Sequence, residues 1–160
     1  MATRAAVLEE VLALLCDEEQ ALGRLLSLAL DEQQALVQSN FDAIETVSAR
    51  MVEVAESIER SEARRLNLLR SVGADSLTLE ELLPLADDLG VSGFAEARLQ
   101  LGARAQELKD AQELNARLLL NAMKLRDRWA NLLGGYLAPG YGSDGKRNVS
   151  DARGTVSRIA

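Results

Sequence analysis

The chain has 160 residues, with 18 Lys and Arg, 25 Asp and Glu, no His and one Cys, and 48% of its residues are hydrophobic although only 3% are aromatic. This length and apolar share are typical of one modest folded domain and unlike those of a disordered chain. Without His, and with Cys16 alone, the sequence lacks the usual ligands of a zinc site and the commonest general base. We therefore expect no catalytic residues, no metal, no cofactor and no enzyme activity.

The net charge of −7 is unevenly distributed along the chain. Residues 134–160 contain four basic and two acidic side chains, which leaves 14 basic and 23 acidic side chains, or −9, on residues 1–133. An acidic body without a dense Lys/Arg stripe repels a phosphate backbone, so nucleic acid is not an expected partner. No apolar run is long enough to span a bilayer, and we expect a cytoplasmic protein without stable membrane insertion.

Apolar residues before Gly134 recur with the spacing of an α-helix and never with the alternation of a half-buried strand, so the sequence predicts an all-α fold. The first predicted helix covers residues 5–38. Two pairs of polar residues interrupt its apolar stripe, at Glu18 and Glu19 and again at Glu32 and Gln33. Cys16 lies in an apolar stretch of this helix and is expected to be a buried, inert thiol.

The second predicted helix, residues 42–72, has the most regular seam of the chain. Its nine seam positions are Ile44, Val47, Met51, Val54, Ile58, Ser61, Arg65, Leu68 and Val72. Only Ser61 and Arg65 are polar, and such a narrow seam packs against a partner helix as in a coiled coil. The short junction at Ser39 and Asn40 favours an antiparallel pair of helices, with a single kinked helix as the alternative.

Two further helices are predicted. Gly73 is placed to end the second helix, and the spacing of Thr78 and Glu81 is that of a capping box, which predicts a short helix over residues 79–89. The last long helix is predicted over residues 94–133 and is expected to end at Gly134 and Gly135. The predicted architecture is an antiparallel bundle of three long helices with coiled-coil-like seams plus one short helix, residues 1–133, followed by a flexible, disordered Gly-rich tail, residues 134–160.

The apolar face of the last helix widens towards its C-terminal half. The residues that form it are Leu118, Leu119, Met123, Leu125, Trp129, Leu132 and Leu133. Because Met and aromatic side chains are favoured anchors at partner surfaces, this face is a candidate partner-binding surface, with Trp129 as a plug of the bundle end as the alternative. Asn115 occupies a seam position of the same helix, where it either fixes the register from a buried site or lies exposed at a bundle end.

The order of these features resembles that of the FlgN-type export chaperones of bacterial flagellar type III secretion. The elements of the resemblance cover nearly the whole chain. The first half contains Leu12-x-x-Leu15 with the acidic pair and Leu22, then Glu32 to Leu36 with Asp42, then Glu59-Arg60 and Arg64-Arg65 before Leu68-Leu69 and Gly73. The second half contains the Thr78-Leu79 helix, Gln112-x-x-Asn115-x-x-Leu118-Leu119, and Tyr141-Gly142-x-x-Gly145.

The resemblance implies a cytoplasmic chaperone that binds disordered terminal segments of flagellar hook–filament junction proteins, prevents their premature assembly and delivers them to the type III export apparatus. In such chaperones the C-terminal amphipathic helix holds the substrate, which assigns that role to the candidate surface. A region near the chain end docks at the export gate, so Tyr136 and Tyr141 are the docking candidates. The alternative is a structural coiled coil or adaptor that self-associates, for example as a homodimer, through the regular second helix.

Overall fold

The computed structural model describes residues 1–137. These form four helices and no strand: α1 (Arg4–Val37), α2 (Phe41–Ser71), α3 (Leu79–Asp88) and α4 (Phe94–Leu137). The predicted fold class of three long helices and one short helix is confirmed. The part of the predicted tail that follows residue 137 lies outside the described residues. Within the described part of the chain, no helix has an apolar stretch long enough to cross a membrane.

Local side chains and tight turns set the ends of the helices. The side-chain oxygens of Thr3 and Asn40 accept hydrogen bonds from backbone amides in the first turns of α1 and α2. The predicted capping box at Thr78 and Glu81 is present at the start of α3. As predicted, Gly73 terminates α2: it follows the C-cap Val72 and has a left-handed φ of 71°. Ser39 takes the same left-handed position after α1, with a φ of 54°.

The chain divides into two compact units, Met1–Asn115 and Ala116–Ala160. The first unit contains α1, α2, α3 and the N-terminal part of α4. Its core brings together apolar side chains from all four helices, from the turn after α2 and from the segment before α4: Leu8, Val11, Leu15, Leu69, Ala74, Leu82, Ala86, Val91, Phe94 and Ala97. In the second unit, the described residues are the C-terminal part of α4.

Side-chain contacts define the directions of the long helices within the first unit. The tight turn at Ser39 makes α2 antiparallel to α1, and all nine predicted seam positions of α2 are half-buried. Along α4, Arg104 contacts Glu19 and Asn115 contacts Ala29, so the N-terminal part of α4 runs parallel to α1. Within the first unit the long helices therefore follow an up, down, up order, which places the N-terminal part of α4 antiparallel to α2.

Two local predictions are wrong. Gly134 and Gly135 do not end the last helix, because α4 continues through both of them to Leu137. A glycine in a helix interior costs about 1 kcal/mol relative to alanine, which weakens a helix but does not end it. Cys16 is exposed and not buried. Its side chain lies about 100° around the helix axis from the buried Leu15, outside the buried stripe of α1.

Candidate partner-binding face

The C-terminal part of α4 carries an exposed apolar stripe. Leu118, Ala122, Leu125, Trp129 and Leu132 follow one another by alternating steps of four and three residues, which places them on one side of a helix. Leu118 and Ala122 are half-buried, whereas Leu125 is 55% exposed and Trp129 is 54% exposed. We call these five residues together with Leu133, which lies beside them, the α4 face. Trp129 is therefore a surface residue, although the sequence left its location open.

Not all predicted surface residues share this side of the helix. Leu119 and Met123 are exposed, but they lie about 100° and 140° around the helix axis from Leu118. We call Leu119 and Met123 the shoulder of the α4 face, because they lie beside its stripe on the helix surface and not within it. Six of the seven predicted surface residues are exposed, and Leu118 is half-buried.

Leu120 is an exposed residue that the sequence analysis did not select. Its side chain is 52% exposed and lies about 180° around the helix axis from Trp129. A projection of residues 116–133 onto a helical wheel reveals it as an apolar side chain outside the stripe. Leu120 thus offers a comparison of equal chemistry and exposure on the opposite side of the helix.

Basic side chains border the α4 face. With Leu125 and Trp129 at the d and a positions of a heptad, Arg126 occupies position e and Arg128 position g, one on each side of the seam. Arg117 and Lys124 lie further out, at c positions, and all four basic side chains are exposed. The only acidic residue in this stretch is Asp127, which pairs with Arg126 at 3.7 Å while both side chains are about two-thirds exposed.

This part of α4 also marks a change in the charge of the chain. Residues 1–115 have 10 basic and 22 acidic side chains, a net charge of −12, whereas residues 116–160 have 8 basic and 3 acidic side chains, a net charge of +5. The contrast is smaller when the chain is divided at residue 134, because four of the eight basic residues precede that position. The boundary between the two units coincides with the change of sign.

Asn115, the last residue of the first unit, is a buried polar residue with an exposed fraction of 2%. Its Nδ2 donates to the backbone oxygen of Ala29 over 2.7 Å and lies 3.5 Å from Glu32 Oε2. Its Oδ1 has no hydrogen-bond partner among the described residues. The structure therefore favours the buried alternative for Asn115, in which a single polar seam residue fixes the register of α4 on α1.

The acidic residues that interrupt the stripe of α1 face polar partners on other helices. Glu18 is 7% exposed and accepts from Ser61 Oγ over 3.3 Å and from Arg65 Nε over 3.2 Å. Glu19 accepts from Arg104 Nε over 3.0 Å, and this hydrogen bond, followed by one to Glu107, raises the pKa of the Arg104 guanidinium. Polar side chains that interrupt the apolar stripe of one helix thus form hydrogen bonds with polar side chains of a neighbouring helix.

Two open clefts also lie within the first unit. One, of about 420 Å³, lies between α1 and α2, with Leu14, Ala21 and Ile58 in its wall. The other, of about 880 Å³, lies beside α3 and is lined by Leu22, Leu79 and Leu101, among others. Within residues 1–137, no group of three or more Cys, Asp or Glu side chains is placed to hold a metal ion.

The architecture is that of an all-α protein with a long helical hairpin and a third long helix that ends in an exposed apolar face. The family model described as "FlgN protein" matches residues 1–148 of the 160-residue chain. The chain therefore belongs to the FlgN family, the family of flagellar export chaperones, and the resemblance noted in the sequence is confirmed. No curated protein and no solved structure matches the chain.

Proposed function

We propose that the chain is a cytoplasmic chaperone that binds flagellar hook–filament junction proteins, prevents their premature assembly and delivers them to the flagellar type III export apparatus. The exposed α4 face carries this proposal, because it presents a helical apolar seam to solvent in a member of a chaperone family. The residues that would hold the client are the α4 face and its shoulder at Leu119 and Met123.

Binding would follow the helix-in-groove or helix-on-helix mode. A disordered terminal segment of the client forms an amphipathic helix and packs its apolar side against the α4 face. Burying one large apolar side chain contributes about 1.5–3 kcal/mol, so contacts at Leu125, Trp129 and Leu132 offset the cost of ordering the client. A large part of the gross binding energy is used to order the segment, which leaves an affinity compatible with later transfer.

Delivery would require a second contact, with the export gate. Tyr136 lies in the last turn of α4, and Tyr141 lies outside the described residues. Docking through these tyrosines is tested by Tyr136→Ala and Tyr141→Ala. We expect both variants to bind junction proteins like the parent while exporting less of them, and a loss of client binding would contradict the separation of the two contacts.

The proposed function is tested by recovering partners of the tagged full chain from a lysate of flagellated bacteria. We expect the parent to recover junction proteins, Trp129→Asp and Leu125→Asp to recover none, and all three to have the same far-UV helicity. Leu120→Asp is the matched control, since it adds the same charge at an equally exposed leucine on the opposite side of α4. This control should bind like the parent.

Two outcomes would contradict the proposal. A loss of helicity in Trp129→Asp would show that the residue supports the fold. Recovery of the chain itself in multimers that survive the substitution would favour the alternative, a homodimer or other self-associating coiled coil. The structure offers little support for self-association through α2, because the seam of that helix is half-buried within the single chain.

A further inference from the structure

We infer that the α4 face selects an amphipathic helix whose flanking positions are acidic. This inference rests on the proposed function, because it specifies the chemistry of the segment that a client presents. The observation behind it is the pairing of an exposed apolar seam with Arg126 and Arg128 on its two sides.

The positions of the two arginines determine which partner residues they meet. In a pair of packed helices, side chains at positions e and g lie along the edges of the seam and form ion pairs across it. Arg126 and Arg128 occupy these positions around Leu125 and Trp129, the most exposed members of the α4 face. A partner helix with Glu or Asp along its edges would therefore place carboxylates within reach of both guanidinium groups.

The arginines are available for such pairs. The ion pair of Arg126 with Asp127 joins adjacent residues whose side chains are about two-thirds exposed, and ion pairs at this exposure contribute little because water screens them. Among the residues that the structure describes, no ion pair engages Arg128. A partially desolvated carboxylate from a bound helix would compete well with Asp127 for Arg126.

The same charges disfavour a second copy of this face as the occupant. A second α4 face would offer these arginines no carboxylate in either direction, because no e or g position of residues 118–135 is acidic. In an antiparallel pair, where e faces e and g faces g, registers that align the arginines would also place like charges against each other. Like charges along a seam reduce the stability of a pair. The basic border therefore favours a different chain with an acidic border.

A lipid surface fits the arrangement less well. Helices that lie on anionic membranes combine one apolar side with an opposite side that is strongly polar and basic. In α4 the side opposite Trp129 carries the exposed Leu120, Asp127 and Lys124, so an apolar, an acidic and a basic side chain share it. A bound helical segment covers only the α4 face and leaves this opposite side in solvent.

Three designed peptides of equal length test the inference with the full chain. They share one apolar heptad seam and differ only at positions e and g, which are all Glu, all Gln or all Lys. Binding is followed by the emission of Trp129, the only tryptophan of the chain. At about 50 mM salt we expect the Glu peptide to bind at least tenfold more tightly than the Gln peptide and the Lys peptide to bind most weakly.

Two charge-reversed double variants then test which basic residues cause the preference for the Glu peptide. The double variant Arg126→Glu/Arg128→Glu should reverse the order and prefer the Lys peptide. The matched control Arg117→Glu/Lys124→Glu makes the same change in net charge at c positions and should still prefer the Glu peptide. Far-UV helicity of both variants should equal that of the parent, since all four side chains are exposed.

Equal affinities for the three peptides, no binding by any of them, or the same response in both double variants would overturn the inference. Tighter binding of phosphatidylglycerol-containing vesicles than of the Glu peptide would overturn it in favour of a membrane surface.

The lysate experiment separates the two proposals. If the parent and Arg126→Glu/Arg128→Glu recover junction proteins equally, the proposed function stands and the acidic preference fails. If the Glu peptide is preferred but no junction protein is recovered, the preference stands and the assigned client fails.

Discussion

Arg65 of α2 donates from Nε to Oε1 of Glu18 on α1 over 3.2 Å, and the two side chains are only 16% and 8% exposed. Ser61, one helical turn earlier in α2, donates to the same oxygen. Both polar positions of the α2 seam therefore meet the acidic residue that interrupts the stripe of α1. Because Glu18 is withdrawn from solvent, its carboxylate depends on these partners to compensate for lost hydration.

Removal of the Arg65 side-chain charge should destabilise the protein strongly. Arg65→Met keeps the apolar stem but leaves Glu18 with Ser61 as its only partner, so we expect a loss of about 3 kcal/mol in the free energy of unfolding, measured with urea. The matched control is Arg64→Met, which removes the neighbouring ion pair of Arg64 with Glu10, whose side chains are 65% and 43% exposed. That change should cost less than about 1 kcal/mol, and equal losses would refute the distinction.

The buried amide of Asn115 should tolerate an apolar replacement better than a charged one. Asn115→Asp keeps the shape but removes the donor to Ala29 and places a second carboxylate near Glu32, so we expect a loss above about 2 kcal/mol at pH 7. Burial and the neighbouring charge would raise the pKa of the introduced carboxyl in the folded state, so the loss should grow as the pH rises from 3 to 7. Asn115→Leu should be nearly neutral, and thermal unfolding across this pH range compares the two.

The capping box at the start of α3 should contribute stability that depends on pH. The backbone amide of Thr78 donates to Glu81 Oε2 over 2.7 Å, and this bond, followed by one to the Thr78 side chain, holds the pKa of Glu81 below its ordinary value of 4.5. A carboxyl with a lowered folded pKa stabilises the fold above its ordinary pKa and loses this effect as the pH falls through the folded value.

Glu81→Gln should therefore lower the Tm at pH 7 and differ less from the parent near pH 3. A Tm difference that is the same at both pH values would contradict this account. Thr78→Ala removes the hydroxyl that accepts from the Glu81 amide and should cost about 1 kcal/mol at neutral pH, because the first turn of α3 loses its cap.

Leucines of the core and of the α4 face should respond differently to truncation. Leu82 is fully buried where α3 meets the core, and Leu82→Ala should cost about 3 kcal/mol because it leaves a cavity. Leu125→Ala, on the exposed α4 face, should change the free energy of unfolding by less than about 0.5 kcal/mol. Urea unfolding of the two variants measures both effects, and a large loss in Leu125→Ala would show that the α4 face is part of the folded core.

Much of the fold could be predicted because local signals set it. The seam of α2, the left-handed Gly73 and the capping box at Thr78 each depend on residues a few positions apart, and all three are present in the structure. The end of α4 could not be predicted with the same rules. Gly134 and Gly135 are typical of a helix end, but a helix also continues through glycines when nothing else terminates it.

Sequence periodicity could not predict the partners of the polar seam residues. The pattern shows that Glu18 and Asn115 interrupt apolar stripes, but it does not show which residues of a distant helix face them. For the α4 face, composition indicated the right stretch of chain. Composition does not separate the α4 face from its shoulder, and it does not show that Arg126 and Arg128 lie at the edges of the face. Both features depend on the angle of each residue around the helix axis.

The pairs of Glu19 with Arg104 and of Ala29 with Asn115 connect residues that are 85 and 86 positions apart. During synthesis, α1 and α2 can pair once the second of them has left the ribosome, since their contact is local. On the side of α1 that receives α4, Glu19 gains its partner only after Arg104 has emerged, and Ala29 only after Asn115 has emerged. The nascent chain thus passes through a stage in which this side of α1 lies open, and the docking of α4 has to close a loop between residues 85 positions apart.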